Sequence, residues 1–448
     1  MKDRDRKGVQ HERAVLVGVF LEAPIDPAHP LDELAGLAST AGARVVGELT
    51  QRRERPDQTT YLGKGKVAEL RGVVEHHDAD VVIFDNDLSP AQTRNLERAL
   101  EVKVLDRSEV ILDIFAARAR TYEARLAVEL AQLEYSLPRL KRMWTHLSRL
   151  KMGIGMRGPG EKQLEVDRRL VEKRIHDLTQ EIKAIHGRKE RQVAARGEQL
   201  TVSLVGYTNA GKSTLLNALT GASELAEDKL FATLDTRTRR WRLPGWGPVL
   251  LSDTVGFIRE LPHRLIASFR ATLEETRQAD LLLHVADASS PLVDQQIAAV
   301  RGVLAELGVD DKDTLLVLNK IDAVADPVRR EQVLARYPHA LPISARSGAG
   351  LAALARAVSD HLGRAFRDVD VETDPGNGRL LAWLAAHGEV LSRHFAADRM
   401  TIHCRIPAAL LGRIDPHDAV IHDRAPAART LPEDSQNGDA PAPATIPG

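Results

Sequence analysis

Short apolar runs alternate with amphipathic segments along the first 116 residues. Strands are predicted for the apolar runs at 14–21, 45–49, 81–84 and 102–105. Helices are predicted for the segments between them, at 31–41, 67–75 and 91–100. Strands that alternate with helices of this length indicate a parallel sheet with crossover helices. Residues 1–116 are therefore predicted to form a small N-terminal α/β domain.

From residue 117 to 197 the apolar side chains recur three and four positions apart, which is typical of long amphipathic helices. Leu126, Leu130 and Leu133 begin this spacing, and it continues from 164 to 185 in the second half. Two such helices predict an antiparallel hairpin, with Pro138 kinking its first arm. The turn predicted at 153–160 is rich in glycine and longer than a tight connection needs.

Residues 198–366 return to strand-like runs with helices between them, which predicts a doubly wound sheet with one antiparallel hairpin at 237–251. A short α+β unit is predicted at 375–423, with a helix at 379–395, a strand at 400–406 and a helical segment at 408–414. The segment 424–448, rich in alanine and proline, cannot bury enough apolar surface and is predicted to be disordered. The predicted fold class is therefore α/β, with a parallel-sheet domain, a helical hairpin, a doubly wound domain and a short α+β unit.

A phosphate-binding loop is predicted at the start of the doubly wound domain. The segment 206–213 reads G-Y-T-N-A-G-K-S, follows the apolar run 200–205 and precedes the helical run 215–219. This spacing lets successive backbone N–H groups surround the α and β phosphates of a nucleotide. Lys212 is expected to reach the β and γ phosphates, and the Ser213 hydroxyl is expected to bind Mg²⁺.

Three later segments indicate which nucleotide is bound. Asp253 and Gly256, in D-T-V-G, suit a water-mediated contact to Mg²⁺ and a backbone N–H that faces the γ-phosphate. In N-K-I-D, the Asp322 carboxylate can accept hydrogen bonds from guanine N1–H and the 2-amino group, a pattern that adenine cannot match. In S-A-R, at 344–346, a backbone N–H can meet guanine O6. The four segments in this order predict a GTPase with a Ras-like fold.

A switch segment is expected at 231–236, which reads F-A-T-L-D-T. A threonine here can give its hydroxyl to Mg²⁺ and its backbone N–H to the γ-phosphate, so that the segment orders with GTP and relaxes after hydrolysis. Thr233 is assigned this role, with Thr236 and Thr238 as competitors. The alternative is that these threonines are simply strand residues.

The candidate site residues come from these five segments. The predicted catalytic residues are Lys212, Thr233 and Gly256, and the predicted metal ligands are Ser213 and Thr233. The predicted GTP-binding residues are Gly206, Tyr207, Thr208, Asn209, Ala210, Gly211, Lys212, Ser213, Thr214, Phe231, Ala232, Thr233, Leu234, Asp235, Asp253, Thr254, Val255, Gly256, Asn319, Lys320, Ile321, Asp322, Ser344, Ala345 and Arg346.

These motifs together resemble the HflX family of GTPases. The resemblance rests on G-Y-T-N-A-G-K-S, F-A-T-L-D, D-T-V-G-F-I-R-E-L-P-H and the glycine-rich G-M-R-G-P-G-E-K-Q-L-E at 155–165, and it covers residues 13 to about 415. Thr236 departs from the family pattern, which usually has proline after L-D. The resemblance implies association with the ribosome, in ribosome splitting or rescue or in biogenesis.

Two positions bear on the rate of hydrolysis. Phe257 stands where many GTPases carry a glutamine that orients the attacking water, so intrinsic hydrolysis is expected to be slow and to be accelerated by a partner. Asn209 resembles the asparagine of GTPases that bind K⁺ beside the phosphates, where the ion supplies positive charge. The alternative for Asn209 is a role in stabilising the loop.

The net charge of −1 for the whole chain hides a strongly basic hairpin. Residues 118–196 contain 19 Lys or Arg against 10 Asp or Glu, and residues 139–160 contain no acid. Such a local field suits a polyanionic partner. The family resemblance implies that this partner is the rRNA of the large ribosomal subunit. The alternative is a signalling switch whose hairpin docks protein partners. The predicted RNA-binding residues are Arg139, Lys141, Arg142, Arg149, Lys151 and Arg157.

The composition indicates the compartment in which the chain is expected. The 448 residues are 43% hydrophobic and 28% charged, as in ordinary soluble proteins. No apolar run approaches the roughly 20 residues that a membrane-spanning helix needs, so neither a membrane span nor a signal peptide is expected. The single cysteine, Cys404, excludes an internal disulfide and fits a reducing compartment. The chain is expected to be a cytoplasmic monomer.

Overall fold

The structure is a computed structural model. It describes residues 11–21, 29–143, 159–195, 200–222, 230–231, 234, 236–243, 247–259, 275–309, 311–363, 366–396, 398–416 and 418–424. The chain divides into two compact units, Met1–Ser359 and Asp360–Gly448. The α/β fold class predicted from the sequence is confirmed, whereas the predicted domain boundaries stay predictions.

The first unit begins with a parallel four-stranded sheet in the order β2-β1-β3-β4. Every strand and helix predicted for this part is present. The strands are β1 (Arg13–Phe20), β2 (Arg44–Arg52), β3 (Val81–Phe84) and β4 (Lys103–Asp106), and the helices between them are α1 (Asp32–Thr40), α2 (Lys64–His77) and α3 (Pro90–Leu100). All four residues of β3 are buried, as expected for a central strand with helices on both faces.

Helix α4 (Arg107–Arg118) follows β4 without a connecting loop. Its N-cap is Asp106, whose side chain accepts a hydrogen bond from the Glu109 backbone N–H. Such a cap satisfies a backbone donor that the helix itself cannot pair. The sequence did not predict α4, because seven of its residues are buried and it lacks a clear polar face. This helix brings Arg107 and Phe115 into the interior of the unit.

The predicted helical hairpin is present as α5 (Tyr122–Met143) and α6 (Pro159–Ala195). Leu126, Leu130, Leu178 and Ile182 form an apolar cluster between the two helices. On the outer side, Arg174 donates two hydrogen bonds to the Glu129 carboxylate, at 2.7 and 2.9 Å. Helix α5 continues through Pro138 to Met143. The predicted glycine-rich turn lies outside the described residues, except for its last two positions.

A second sheet carries the nucleotide motifs. Its described strands run in the order β10-β9-β8-β5-β7-β6, parallel except for β6, which forms the predicted antiparallel hairpin with β7. The strands are β5 (Thr201–Gly206), β6 (Arg237–Leu243), β7 (Gly247–Asp253), β8 (Leu281–Asp287), β9 (Thr314–Asn319) and β10 (Leu341–Pro342). The helices in the described part of this region include α7 (Lys212–Thr220), α8 (Val293–Glu306), α9 (Pro327–Arg336) and α10 (Leu351–Gly363).

The second unit contains an antiparallel sheet in the order β12-β13-β11-β14. Its elements are β11 (Phe366–Thr373), α11 (Gly378–His387), β12 (Glu389–Phe395), β13 (Met400–Pro407), α12 (Ala408–Leu411) and β14 (Ala419–Asp423). The buried Cys404 lies in the core of this sheet, where burial raises the pKa of its thiol to about 12. A buried thiol with a raised pKa is a poor nucleophile.

Two predictions for the second unit were wrong. The helix predicted at 379–395 ends at His387, and 389–395 is strand β12. Gly388 is extended there and packs so closely that a Cβ would lie 2.6 Å from the Arg405 carbonyl oxygen. Pairing with β13 overrides the helical spacing of the apolar residues. The helix predicted at 408–414 is only one turn, and the strands β11 and β14 were missed.

His284 lies in the middle of β8 and is 2% exposed. Burial, with smaller contributions from Arg301 and Lys212, lowers the pKa of His284 from 6.5 to about 4. Between pH 4 and pH 6.5, His284 binds a proton in the unfolded chain but not in the folded chain. The stability of the fold therefore decreases as the pH drops from 6.5 towards 4.

We expect the unfolding free energy to fall by about 2 kcal/mol between pH 7.5 and pH 5 through this residue alone. Urea unfolding of the native chain and of His284→Asn at both pH values measures it. The decrease in unfolding free energy between the two pH values should be smaller in His284→Asn by that amount. Equal losses in the two proteins would show that His284 is not buried as a neutral group.

Among the described residues, no helix is both long enough and apolar enough to cross a membrane.

Candidate nucleotide-binding site

The loop 206–213 connects β5 to the N-terminus of α7, as its motif predicts. Gly206 has a φ of 157°, and a Cβ on it would collide with the Val285 carbonyl oxygen of β8. Gly211 has a φ of 89°, and a Cβ there would collide with the Asn319 side-chain nitrogen. Both positions require glycine, for space as well as for backbone conformation. The loop can therefore lie against its neighbouring strands, with the start of α7 behind it.

Lys212 is buried at the start of α7. Its Nζ donates hydrogen bonds to the carbonyl oxygens of Gly206, at 3.1 Å, and of Tyr207, at 3.0 Å. Burial lowers the pKa of Lys212 to about 8, and the nearby Asp253 carboxylate acts in the opposite direction. The ammonium group is thus held inside the curve of the loop, where an anion would restore the stability of its charged form.

The Ser213 hydroxyl and the Asp253 carboxylate lie close together beside the phosphate-binding loop. The Ser213 hydroxyl donates a hydrogen bond to Asp253 Oδ2 at 2.6 Å, and Asp253 is fully buried at the end of β7. Mg²⁺ in proteins takes oxygen ligands, commonly one or two side chains together with phosphates and waters. The donor set at this point is therefore of the kind that Mg²⁺ binds.

The segment Gly256–Phe257 lies across the phosphate-binding loop. The Phe257 N–H donates to the Gly206 carbonyl at 3.1 Å, and the Thr208 N–H donates to the Phe257 carbonyl at 2.6 Å. A Cβ on Gly256 would lie 2.9 Å from Thr208 Cα and 3.2 Å from Lys212 Nζ. Gly256 is therefore in the right place for its backbone to face a terminal phosphate.

Phe257 is 3% exposed and packs in the apolar core with Tyr207. Its ring is thus part of the interior and offers no hydrogen bond to a water molecule. The prediction that this position cannot orient the attacking water agrees with its burial.

Asn319 connects the phosphate-binding loop to the segment 344–346. Its side-chain nitrogen donates to the Ala210 carbonyl at 2.9 Å, and its side-chain oxygen accepts from the Ala345 N–H at 2.9 Å. Asn319 is 2% exposed, and Ser344 beside it is fully buried. One amide side chain thereby fixes the distance between the two loops that flank the nucleotide.

Asp322 and Arg346 are exposed, and Asp322 lies in the short 3-10 helix Ile321–Ala323. The Lys320 ammonium group pairs with Asp287 Oδ2 at 2.8 Å. Asp287 also accepts from the Ser289 N–H and hydroxyl through its other oxygen. Sequence reasoning missed Asp287, although it ends the apolar run of β8, where parallel strands commonly place site residues.

The predicted switch segment is described in part. Ala232, Thr233 and Asp235 lie outside the described residues, so the structure does not place the assigned switch threonine. Thr238 lies in β6 and donates its hydroxyl to Glu275 at 3.0 Å, which agrees with the alternative that it is a strand residue.

Phe231 is 1% exposed, and its ring meets that of Phe115 edge to face, with ring centres 4.7 Å apart. Its backbone N–H donates to the Thr208 hydroxyl at 2.7 Å. The start of the switch segment is thus packed on the N-terminal part of the unit.

Asn209 has a φ of 60° and an exposed side chain. Asparagine tolerates this left-handed conformation better than most residues, which accounts for its presence in the loop without an ion.

Among the described residues, Arg139 contacts the N-terminal part of the unit and not the tip of the hairpin, the basic stretch at 141–157. Its guanidinium donates to Asp106 Oδ2 at 2.8 Å and to the Leu88 carbonyl at 3.2 Å, and it lies 3.5 Å from the centre of the Tyr135 ring. Asp106 is 2% exposed, so this ion pair holds α5 against the end of β4. Of the other five predicted RNA-binding residues, Lys141 and Arg142 are described only in their backbone, and Arg149, Lys151 and Arg157 lie outside the described residues.

Comparison with known proteins identifies the family. Residues 28–116 match the family described as GTP-binding GTPase N-terminal, residues 118–196 match GTP-binding GTPase Middle Region, and residues 201–320 match 50S ribosome-binding GTPase. GTPase HflX of Lacrimispora saccharolytica is 45% identical over 405 residues, which cover 90% of this chain and 95% of that protein. The chain belongs to the GTPase HflX family. GTPase HflX of Escherichia coli K12 is 47% identical over 372 residues, covering 82% of this chain and 87% of that protein.

Among solved structures, the chain is similar to the crystal structure of the SsGBP and GDP complex. The sequences are 24% identical, the match covers 78% of this chain and 98% of the other, and the TM-score is 0.46. As a member of the HflX family, the protein is a GTP-binding enzyme that hydrolyses GTP. The resemblance stated from the motifs is thereby confirmed.

Proposed function

We propose that this protein is a Mg²⁺-dependent GTPase switch that acts on the large ribosomal subunit, in ribosome splitting or rescue or in biogenesis. The observation that carries the proposal is Phe257, a buried ring at the position where other GTPases orient the attacking water. Such an enzyme needs a partner to complete its catalytic centre. The match of residues 201–320 to the 50S ribosome-binding GTPase family supports the large subunit as that partner.

In the proposed reaction, the loop 206–213 surrounds the α and β phosphates with its backbone N–H groups. Lys212 leaves its two carbonyl partners to bind the β and γ phosphates, and the Gly256 N–H donates to the γ-phosphate. Asp322 accepts hydrogen bonds from the two guanine donors, N1–H and the 2-amino group. The segment 344–346, which Asn319 holds in place, provides a backbone N–H to guanine O6. Water attacks the γ-phosphorus in line with the leaving GDP oxygen.

Ser213 and Thr233 are the proposed ligands of Mg²⁺, with Asp253 in contact through water. When bound, the ion would supply positive charge that neutralises the negative charge developing in the transition state. The oxygen pair of Ser213 and Asp253 supports this assignment. K⁺ is not part of the proposal, because the backbone conformation of Asn209 explains that residue on its own.

The proposed contact with rRNA is made by the tip of the helical hairpin. Arg139 is left out of it, because its guanidinium is held by Asp106. The remaining basic residues lie in a stretch without acids, from which a phosphate backbone gains electrostatic attraction. They are Lys141, Arg142, Arg149, Lys151 and Arg157. A ribosomal partner also places the protein in the cytoplasm.

Co-sedimentation with purified large ribosomal subunits tests the contact. The protein should sediment with subunits in the presence of a non-hydrolysable GTP analogue, and less so with GDP. Changing the five tip residues to glutamine should weaken binding by about tenfold or more at 150 mM salt and reduce the salt dependence of binding. The matched control changes five exposed basic residues elsewhere to glutamine: Lys173, Lys183, Arg188, Arg330 and Arg356.

Unchanged binding of the tip variant, or an equal loss in the control variant, would contradict the tip as the RNA contact. Absence of binding by the native protein under every nucleotide condition would contradict the ribosomal partner. The signalling alternative, in which the hairpin docks proteins, would then be the better account.

A further inference from the structure

A buried charge network lies between α1, β3 and α4 of the N-terminal part of the first unit. Arg107, the first residue of α4, is 3% exposed. Its guanidinium donates to Asp85 Oδ1 at 2.7 Å and also to Glu33 Oε1. A buried guanidinium requires partners that compensate for its lost hydration, and here two carboxylates supply them. The three side chains therefore hold each other in fixed positions.

Two segments of the nucleotide site form hydrogen bonds with this network. Tyr207, in the phosphate-binding loop, donates its hydroxyl proton to Glu33 Oε2 at 2.6 Å. The same hydroxyl accepts from the Arg259 N–H at 2.8 Å. Burial raises the pKa of Tyr207 well above its usual value, so the hydroxyl keeps its proton and remains a donor to Glu33. One hydroxyl group thus joins the phosphate-binding loop, α1 and the segment that follows Gly256.

Arg259 is held at three points. Besides the bond from its N–H to Tyr207, its guanidinium donates to Asp85 Oδ2 at 3.3 Å, and its carbonyl accepts from Arg107 at 3.2 Å. Arg259 comes three residues after Gly256, and Phe257 between them is bonded to the phosphate-binding loop. The position of the Gly256 N–H is therefore set from one side by the loop and from the other by the network.

The network borders open space in front of the loop. Glu33, Asp85 and Arg259 line a cavity of about 550 Å³ together with Thr208 and Asn209 of the phosphate-binding loop. Arg259 borders this cavity, whereas Phe257 and Ile258 of the same segment are buried in the core. Movement of Arg259 would break its bonds to Asp85, Arg107 and Tyr207.

We infer that Glu33, Asp85, Arg107 and the Tyr207 hydroxyl are positioning residues for GTP hydrolysis, which act by fixing the Gly256 N–H through Arg259. The inference rests on the GTPase activity and on the proposed contact of the Gly256 N–H with the γ-phosphate, and it needs no ribosome. A misplaced donor lowers the stability of the transition state more than that of bound GDP, since GDP lacks the γ-phosphate that Gly256 faces.

The first test compares Tyr207→Phe with Tyr337→Phe, using the full chain without ribosomes. Tyr337 is the matched control, because its hydroxyl also donates to a carboxylate, Asp294, at 2.6 Å, but between α8 and α9. We expect Tyr207→Phe to lower kcat roughly tenfold while the KM for GTP and the affinity for a fluorescent GDP analogue change less than about twofold. Tyr337→Phe should leave all three unchanged.

The second test uses Glu33→Gln and Glu33→Ala. Glutamine keeps an acceptor for the Tyr207 hydroxyl, so Glu33→Gln should retain more of kcat than Glu33→Ala, again with GDP affinity unchanged. Thermal unfolding of each variant identifies protein that has lost its fold. A kcat within twofold of the native value in folded Tyr207→Phe would overturn the inference. So would a parallel loss of kcat and GDP affinity, which indicates a purely structural role.

Discussion

Replacing Gly256 with alanine is expected to lower kcat for GTP hydrolysis by about 10²- to 10³-fold, the range found when a single transition-state donor is removed. The added Cβ would lie 2.9 Å from Thr208 Cα and 3.2 Å from Lys212 Nζ. Since Thr208 Cα belongs to the backbone of the phosphate-binding loop, the Gly256 segment has to move away. Its N–H then no longer faces the γ-phosphate, whereas contacts to the α and β phosphates remain.

Steady-state hydrolysis and GDP binding by Gly256→Ala measure this effect. GDP affinity should stay within a few-fold of the native value. Gly302→Ala is the control, because it adds the same methyl group on α8, where nothing lies within 4 Å. Native-like hydrolysis by Gly256→Ala would contradict the role assigned to the Gly256 N–H.

Replacing Asn319 with alanine is expected to weaken GDP binding by about 10²-fold or more. The change removes the bonds to the Ala210 carbonyl and the Ala345 N–H, and both groups are left buried without that partner. Each buried polar group left without a partner costs about 1–3 kcal/mol. With both bonds lost, the loop that binds the phosphates and the loop that binds the base are no longer connected. Both GTP and GDP affinity should fall together, unlike in Gly256→Ala.

Isothermal titration calorimetry with GDP measures the GDP affinity of Asn319→Ala relative to that of the native protein. Asn95→Ala is its control, since the Asn95 side chain also donates to a carbonyl at 2.9 Å, that of Thr59, on an exposed surface. We expect Asn95→Ala to bind GDP normally. GDP affinity in Asn319→Ala within threefold of the native value would show that the loop connection does not support binding.

The positions of the nucleotide motifs at strand ends could be predicted because the residues of each motif are contiguous in the sequence. Gly206–Ser213 and Asn319–Asp322 each follow a strand directly, and the spacing of glycine, lysine and serine reflects how a backbone surrounds phosphates. The apolar runs of the parallel strands in the first two sheets were equally clear, since strands buried on both faces are nearly continuous in hydrophobicity.

The second unit was harder to predict from sequence. In β11 the inward Val369 and Val371 alternate with Asp368, Asp370 and Glu372, so the segment has no apolar run. Its strand character comes from pairing with β13 and β14. Such pairing is a long-range property that local propensity does not contain.

The charge network could not be predicted for a related reason. Glu33, Asp85 and Arg107 are separated by many residues and belong to different elements, and each alone reads as an ordinary surface residue. Arg139 shows the reverse case. It stands at the start of a basic stretch and is predicted from sequence to contact RNA, whereas the fold pairs it with Asp106.

The most direct measurement for the proposed function is the rate of GTP hydrolysis by the purified protein, with and without large ribosomal subunits. Because Phe257 cannot orient water, we expect a slow rate for the protein alone and an increase of at least tenfold with subunits. The increase should disappear in the variant with five neutralised tip residues and persist in the control variant. Equal rates with and without subunits would contradict a ribosome-activated GTPase.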